Sequence, residues 1–567
     1  MSFTVPSCNA TDTPKVTAPR TRSAYDPLPG RRRRERVRFS ASTVVAVLGV
    51  IGLLSAISRP FRHRLHAVLS VLPSVVPLTA ATTLVLVSVG LLLMARGLRH
   101  GQRLAWGSTL ALLVASAVLH VLRGFDVEEA AIATAGAVWL ATQRASFAVL
   151  PAKATVRRAV GLGVTAAVVG TVMGLVIHWV EPRPRLDVID RFVTPLAVVA
   201  VAALGAAAAW VLLSPKIARR LTTDQHREER ERARAVVEQY GSGTLDWFAL
   251  RDDKDWFFAG RSLVAHAVRG GVCLVSPDPI GPAEEQVAVW SEFLAYVEEH
   301  GWSVAVLGAR PERLPLYEAS GLRPVYLGDE AILDCRDFSL AGSRFKSLRQ
   351  SVERVRRAGC TTTFHDPATI GPELRAELEA LRGQSRRGEV ERGFSMTLSR
   401  LFDPQDSGFL LAVTRNADGR VDAFLQWVPA PGIDGWSLDI MRRRIDDDVA
   451  NGVIEATIVA TVEEVAARGR STLSLNFAPM RSVLEGVAGE GRRLADVTRP
   501  ILVQLSQRTQ MATLAAFNRK FRPTWEPRYV VLDSVEWVAA QSLVMADAEG
   551  MTEIPVIGRF LGRAAAA

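Results

Sequence analysis

Six apolar runs crowd the first 215 residues, at about 40–57, 77–95, 104–122, 127–143, 158–179 and 192–214. Runs of roughly 17–25 apolar residues cross a bilayer as helices, because a helix satisfies its own backbone hydrogen bonds in hydrocarbon. Residues 39–215 are therefore expected to form a multi-pass α-helical membrane domain of about six helices. The fourth run is the weakest, with Glu128 and Glu129 at its entry and Gln143-Arg144 at its exit. Six crossings return the chain to its starting side. Arg96, Arg99 and Arg103 on one inner loop, Arg144, Lys153, Arg157 and Arg158 on the next, and Lys216, Arg219 and Arg220 after the last run follow the positive-inside bias. The loop with Arg59, Arg62 and Arg64 is basic yet falls outside, and His66–Val76, broken by Pro73, suits a re-entrant or interfacial stretch. A transport pathway needs ionisable groups inside the spans. These runs are nearly clean, with His120 and His178 close to their ends, so an anchor is favoured over a transporter.

Residues 1–38 read as a disordered, basic N-terminal tail. Its last stretch, Arg31-Arg32-Arg33-Arg34-Glu35-Arg36-Val37-Arg38, reads as a signal holding this end in the cytoplasm, and is compatible with contact to anionic lipid. No cleavable signal peptide is apparent. A length of 567 residues exceeds one core. A net charge of +10 favours anionic partners, either phospholipid, nucleic acid or both. Cys8, Cys273, Cys335 and Cys360 lack CxxC spacing, so they suggest neither a zinc site nor a disulfide framework and fit a reducing compartment.

The rest of the chain alternates strand and helix periods. Residues 216–240 are a charged linker, with an amphipathic helix over 222–241. A first unit, 241–342, holds a hairpin about Arg269-Gly270-Gly271, a helix over Ala283–His300, a strand at Val304–Leu307, a short helix at Pro311–Ala319 and a strand at Ala331–Cys335. A second unit, 343–540, holds a basic helix over Phe345–Ala358, strand Thr361–Phe364, helix Pro372–Gly383 and a hairpin about Asp418-Gly419. Residues 541–567 read as a tail. The loosely repeated order suggests an α/β domain of two tandem acetyltransferase-like (GNAT-like) units. The run Trp427–Met480 is central to the second unit. It reads as strand, helix, strand, and its first strand carries Asp439 and Arg442, an acid and a base near enough to face one cleft.

An acetyl-CoA enzyme of this fold cradles pyrophosphate on a Gly-rich loop opening a helix. The equivalent turn here, Arg443–Gly452, has one glycine and three successive aspartates, Asp446, Asp447 and Asp448, which argues against CoA. The soluble part has no GxSxG, CxxC or HExxH pattern, so no covalent nucleophile, metal or cofactor is expected. A donor that arrives activated fits best, because the protein then supplies positioning, charge and proton transfer. An aminoacyl-tRNA ester is such a donor. The basic helix Arg344–Arg357 suits its backbone, and suits a solvated charged face equally well.

Several stretches carry a family resemblance: GDEAILDCRDFSLAGSRFKSLRQSVERVRRAG (328–359), VERGFSM (390–396), LDIMRRR (438–444), LNFAPM (475–480) and FNRKFRPTWEPRYVVLD (517–533), with ARGLRHGQRLAW (95–106) and LRGFDVEEA (122–130) before them. Together they resemble the MprF-type aminoacyl-phosphatidylglycerol synthases (phosphatidylglycerol lysyltransferase family) over most of residues 70–535. The resemblance implies transfer of an aminoacyl group from tRNA to a glycerol hydroxyl of phosphatidylglycerol, on a tandem acetyltransferase-like fold reached by the two substrates from opposite sides. It implies a multi-pass protein of the cell membrane with a cytoplasmic catalytic domain. Matched by motif, Asp439 and Arg442 take the acid and base of the DxxR strand, Glu391 the glutamate before GFS, and Lys520 the lysine of FxxKFxP. These are the implied catalytic residues. Arg443, Asn476, Arg349, Arg356 and Arg522 are taken as substrate-binding. Asp439 or Glu391 would hold the cationic aminoacyl group, and Arg442 and Lys520 would bind phosphate or the oxyanion.

The sequence departs from the family at Arg443, where an aromatic residue is commoner, at Met396-Thr397, where Leu-Gly is usual, and at Arg522, where lysine is usual. Six runs are too few for a separate flippase portion and no synthetase domain is appended, so lipid flipping is not expected and the amino acid stays open, with lysine first. A lysyl product would lower the negative charge of the membrane and with it the binding of cationic antimicrobial peptides. Another acceptor, such as diacylglycerol or a peptide, and a non-catalytic lipid- or tRNA-binding membrane protein stay open as alternatives. A homo-oligomer is compatible with all three readings.

Overall fold

The computed structural model describes residues 30–57, 89–124, 127–180, 200–216 (without 202), 218–386, 393–479 (without 399), 511–533 and 537–549. The basic loop at 59–64, the stretch 66–76 and residues 1–29 fall outside them. Helices α1 (Arg31–Ile57), α2 (89–99), α3 (Arg103–Gly124), α4 (Val127–Thr142), α5 (Lys153–Val180) and α6 (200–212) lie on the six apolar runs. Among the described residues one helical stretch, Lys153–Val172 in α5, is long and apolar enough to cross a membrane. Its Val156, Val160, Val164, Val168 and Val172 recur at helical spacing, and all are exposed. In α1, Val44, Val47, Leu48 and Val50 are exposed too. Contiguous apolar stripes of this kind cost free energy against water and fit hydrocarbon.

Residues 31–38, expected in a disordered tail, are instead the first turns of α1. Their arginines bind protein. Arg31 is buried, pairs with Asp533 at 3.2 Å and donates to the Ser320 carbonyl at 3.0 Å. Arg34 pairs with Glu298 at 2.9 Å, and Arg38 Nε donates to the Ser146 carbonyl at 2.6 Å. These three groups are committed to carboxylates and carbonyls rather than to lipid phosphate. His100 Nδ1 lies 2.9 Å from the Gly301 carbonyl, and Trp302 Nε1 donates to the Lys216 carbonyl at 2.7 Å. The apolar helices therefore meet the α/β domain at one end, around residues 298–303 and 533.

After α7 (Thr223–Tyr240), whose start Thr222 and Gln225 close as a reciprocal capping box, the chain forms one mixed sheet. Its strands are β1 (Asp255–Ala259), β2 (Ser262–Arg269), β3 (Val272–Val275), β4 (Ser303–Ala309), β5 (Arg323–Asp334), β6 (Thr361–His365), β7 (Leu410–Arg415), β8 (Val421–Ala430), β9 (Gly435–Arg443), β10 (Thr472–Pro479) and β11 (Thr524–Leu532). Their order is β1-β2-β3-β4-β11-β5-β10-β9-β8-β7-β6. One pattern occurs twice. Antiparallel β1–β3 lead through α8 (Gln286–His300) to β4, parallel to β3. Antiparallel β6–β9 lead through α12 (Val453–Ala467) to β10, parallel to β9. A helical crossover is what a parallel neighbour requires. The last strand of each unit is then exchanged: β5 pairs with β10, β11 with β4, and the two pair with each other.

Apolar periodicity explains the layers. Ile454, Ile458, Val462 and Val465 of α12 pack on Leu425, Trp427, Leu438 and Leu473. Leu378 and Leu381 of α11 (Pro372–Arg386) pack on Phe424 and Ile440 across the sheet. Each such side chain contributes about 1.5–3 kcal/mol on burial. Before both helices in sequence lies α10 (Lys346–Arg357), the basic helix, which buries Leu348 and Val355. A short α9 (Leu314–Ala319) precedes β5, α13 (Met511–Arg519) precedes β11, and α14 (Val538–Ala548) occupies part of the expected tail.

Candidate active site

Asp439 and Arg442 stand three apart on β9, and a regular strand would send them to opposite faces. They share a face because the pairing with β8 slips: Gln426 faces Ile440 but Trp427 faces Leu438, so Asp439 is an extra residue. Leu438 and Met441 stay on the α12 face, while Ile440 turns to the α11 face. Asp439 goes with it, its Oδ2 accepting from Gln426 Nε2 and its Oδ1 from the Leu398 N–H, both at 2.8 Å. Arg442 lies opposite Phe424, a core residue of that same face.

Beside this bulge the parallel pair opens. β9 and β10 stay paired only through Ser437 and Ser474. β10 then bulges against β5, between Ser474 and Phe477, and Asn476 takes a φ of +66°. Asn476 Nδ2 donates to the Leu438 carbonyl at 2.7 Å and to the Met396 carbonyl at 3.2 Å, tying both strands to one loop. Beneath it is a buried polar chain. Ser474 Oγ donates to Glu330 Oε1 and accepts from the Asn476 N–H, and Arg528 Nε donates to Glu330 Oε2 at 2.8 Å. Arg528 also donates to Thr244 Oγ1 at 2.7 Å. Glu330 is 0% exposed and Arg528 3%, so the pair is wholly within the sheet.

The loop Gly393–Leu398 covers this region and is held from the first unit. Arg251 donates to the Gly393 carbonyl at 2.9 Å and to Thr397 Oγ1 at 2.6 Å. Lys254 Nζ sits 4.5 Å from the Phe394 ring centre and donates to the Phe248 and Ser276 carbonyls, each at 2.8 Å. Burial lowers its pKa to about 7. Glu549, just past α14, accepts from Ser395 N and Oγ at 3.1 and 2.6 Å, and burial raises its pKa.

The other sequence candidates are placed elsewhere. Glu391 lies outside the described residues. Lys520 Nζ pairs with Glu455 of α12 at 2.8 Å, on the opposite face of the sheet from Asp439. Arg443 is exposed at the end of β9 and donates to the Arg444 carbonyl. Arg522, at φ +53°, lies 5.9 Å from the Phe345 ring centre and lines a cavity of about 330 Å³ with Asp334, Asp337, Phe338, Phe345 and Phe521. Arg349 donates to the Leu340 and Gly342 carbonyls, and Arg356 is exposed. Asp439 and Arg442 thus share one face of β9 with Asn476 on the neighbouring β10, while Lys520, Arg349 and Arg522 belong to the α10–α12 side. The aspartate argument against CoA weakens, because Asp448 pairs with Arg420 at 2.8 Å and Asp446 with Arg444 at 3.5 Å. Sequence reasoning passed over Gln426, Arg251, Lys254, Glu330, Arg528 and Glu549. A glutamine inside the apolar strand Ala423–Val428 is a readable signal, and the others have none, since their partners are distant in sequence.

A duplicated α/β unit with a helical crossover and an opened parallel pair is a GNAT-like architecture, built twice into one sheet. Residues 234–532, more than half of the chain, match the family described as Phosphatidylglycerol lysyltransferase, C-terminal, and the chain belongs to that family. It is similar to the Lysylphosphatidylglycerol biosynthesis bifunctional protein LysX of Rhodococcus opacus, 32% identical across 99% of this chain and 52% of that protein. The protein of the same name from Mycobacterium avium is 36% identical across 58% of this chain and 28% of its own length. The chain therefore spans about half the length, or less, of these curated relatives. In fold it resembles the structure of L-PGS from Bacillus licheniformis, with a TM-score of 0.50 and 24% identity across 57% of this chain and 96% of that one.

Proposed function

We propose that this chain is a membrane-bound transferase that moves a lysyl group from lysyl-tRNA to a glycerol hydroxyl of phosphatidylglycerol. The relatives' names supply the lipid product. The observation that carries the reading to these residues is the β9 bulge, which sets Asp439 and Arg442 on one face beside the opened β9–β10 pair. Strand directions add to it. β4 begins at the end where the apolar helices dock, and β9 and β10 run antiparallel to it through β11 and β5, so they finish at that same end. A lipid headgroup rising from a bilayer would meet Arg442 and Arg443 there. The basic helix α10 lies on the other face of the sheet and would take the tRNA backbone.

The chemistry balances without a further reactant. The lipid hydroxyl oxygen bonds to the ester carbonyl carbon, the bond to the terminal ribose oxygen breaks, and the hydroxyl proton ends on that oxygen. Arg442 faces the charge that gathers on the carbonyl oxygen or the lipid phosphate. Asp439 has both oxygens engaged, so it holds the 396–398 loop and sets a negative field at the base of the site. The six apolar runs would anchor the chain in the cell membrane, with the α/β domain in the cytoplasm. The test is mass spectrometry of lipids from a host that lacks such products, with and without the gene. Lysyl-phosphatidylglycerol supports the reading, and its loss in Asp439→Ala ties it to this site. A neutral aminoacyl lipid would point to another acceptor, and no new lipid to a binding protein.

A further inference from the structure

The loop Gly393–Leu398 has two sides. Inward, the Leu398 N–H donates to Asp439 Oδ1 at 2.8 Å, and the Met396 carbonyl accepts from Asn476 Nδ2 at 3.2 Å. Outward, Phe394 is fully buried in one cluster with Leu307, Val530 and Ala548. Ser395, also fully buried, donates twice to Glu549 Oε1, from its N–H at 3.1 Å and from Oγ at 2.6 Å. Packing alone does not explain Glu549. Its Oε2 is buried and has no hydrogen-bond partner among the described residues. Burial of a carboxylate with one oxygen unpaired is unfavourable, and an apolar residue would close the end of α14 without that cost. Arg251 and Lys254 stand near enough to offset part of its charge.

The helix that carries Glu549 is fixed at its other end to the apolar helices. The Trp537 ring, just before α14, lies 5.1 Å from that of His100 and 5.0 Å from the Arg99 guanidinium carbon, at the end of α2. Gln541 Nε2 donates to the Val304 carbonyl at 2.9 Å, and Asp547 pairs with Arg269 at 3.3 Å. Over roughly 16 Å, α14 therefore runs from that junction to the loop beside Asp439.

We propose that Glu549 is a positioning residue for the transfer site, holding the loop 395–398 through Ser395 where Leu398 and Met396 fix Asp439 and Asn476. This rests on the transferase reading above. Both bonds go to one residue, so they set the rotation of the peptide ahead of Met396 as well as its place. Hydrogen bonds to a carboxylate are roughly twice as strong as neutral ones. Only three residues separate Ser395 from Leu398, so a tilt at the first reaches the N–H that Asp439 accepts.

The full-length protein in phosphatidylglycerol vesicles, with lysyl-tRNA as donor, tests this. Misplacing a reacting group by about 1 Å costs about 10²-fold in rate. Glu549→Ala should lower kcat about 10²-fold and leave KM within about twofold. Hydrogen exchange should quicken at 395–398 and stay slow in β8 and α12. Glu549→Gln should restore kcat to within about threefold, because an amide oxygen accepts both Ser395 donors. Ser395→Ala loses the hydroxyl bond alone and should cost about tenfold; added to Glu549→Ala it should cost nothing more, since both act through one contact. A Glu549→Ala kcat within about fivefold of wild type overturns the proposal. So does a Glu549→Gln as slow as the alanine variant. Exchange that quickens equally across the domain would make Glu549 a structural residue and overturn it too. If Glu549→Ala does not fold, Ser395→Ala decides, and an unchanged kcat there overturns the proposal. Should the wild type transfer nothing, the transferase reading fails, and exchange at 395–398 alone judges whether Glu549 holds the loop.

Discussion

Glu330 and Arg528 lie at the centre of the sheet, and separating them should unfold much of what surrounds Asn476. Glu330→Gln leaves the Arg528 guanidinium buried without its counter-charge, with only neutral acceptors such as Thr244 Oγ1 and the amide oxygen beside it. Breaking one side of a buried pair costs about 3–5 kcal/mol, a large part of a stability of about 5–15 kcal/mol. At a urea m-value of about 3 kcal/mol per molar, the midpoint should fall by about 1–1.7 M. Arg528→Met should cost as much at neutral pH. The apolar pair Glu330→Leu with Arg528→Met fills the space without charge and should return to within about 2 kcal/mol of wild type. Urea melts of the detergent-solubilised protein, followed by tryptophan fluorescence, read all four proteins. Additive losses in the double variant would refute the argument, because they would mean that the two charges do not depend on each other. The double variant should still turn over slowly, since Ser474 loses the acceptor that fixes the Asn476 kink.

Four further outcomes follow from other parts of the molecule. Burial beside Phe293 and Tyr296 lowers the His266 pKa to about 4, so stability is full above the unfolded value and falls as pH drops from about 6.5 to 4, by about 3 kcal/mol; His266→Phe should flatten that acid limb in a melt series. Val164→Arg on the exposed apolar face of α5 should cost about 2.5–3.5 kcal/mol of insertion and shift the protein out of the membrane fraction. Arg34→Glu should loosen the junction between the apolar helices and α8, and Arg34→Glu with Glu298→Arg should restore it, read by limited proteolysis. Arg356→Glu on α10 should weaken lysyl-tRNA binding and lower its salt slope by about one, leaving lipid binding unchanged.

Local period and punctuation were legible. Gly301 ends α8 in the left-handed conformation, Gly270-Gly271 turns β2 into β3, and Gly452 precedes α12, each where the sequence places it. The strand β11 and the helix α14 were not read, because their apolar residues pack against elements far along the chain; β1, which pairs with the adjacent β2, was not read either. The start of α1 was misread for a related reason. A run of arginines looks solvated until Asp533, 502 residues away, supplies its partner.

The sequence by itself determined the apolar helices, the crossover order of both units and the presence of an acid and a base on β9, because these depend on spacing within a few residues. Tertiary structure alone decided that Asp439 and Arg442 share a face, that Lys520 sits on the other one, and that β5 and β11 change places. Register is a property of two strands at once. One residue slipped against β8 turns a side chain over, and nothing within β9 records the slip.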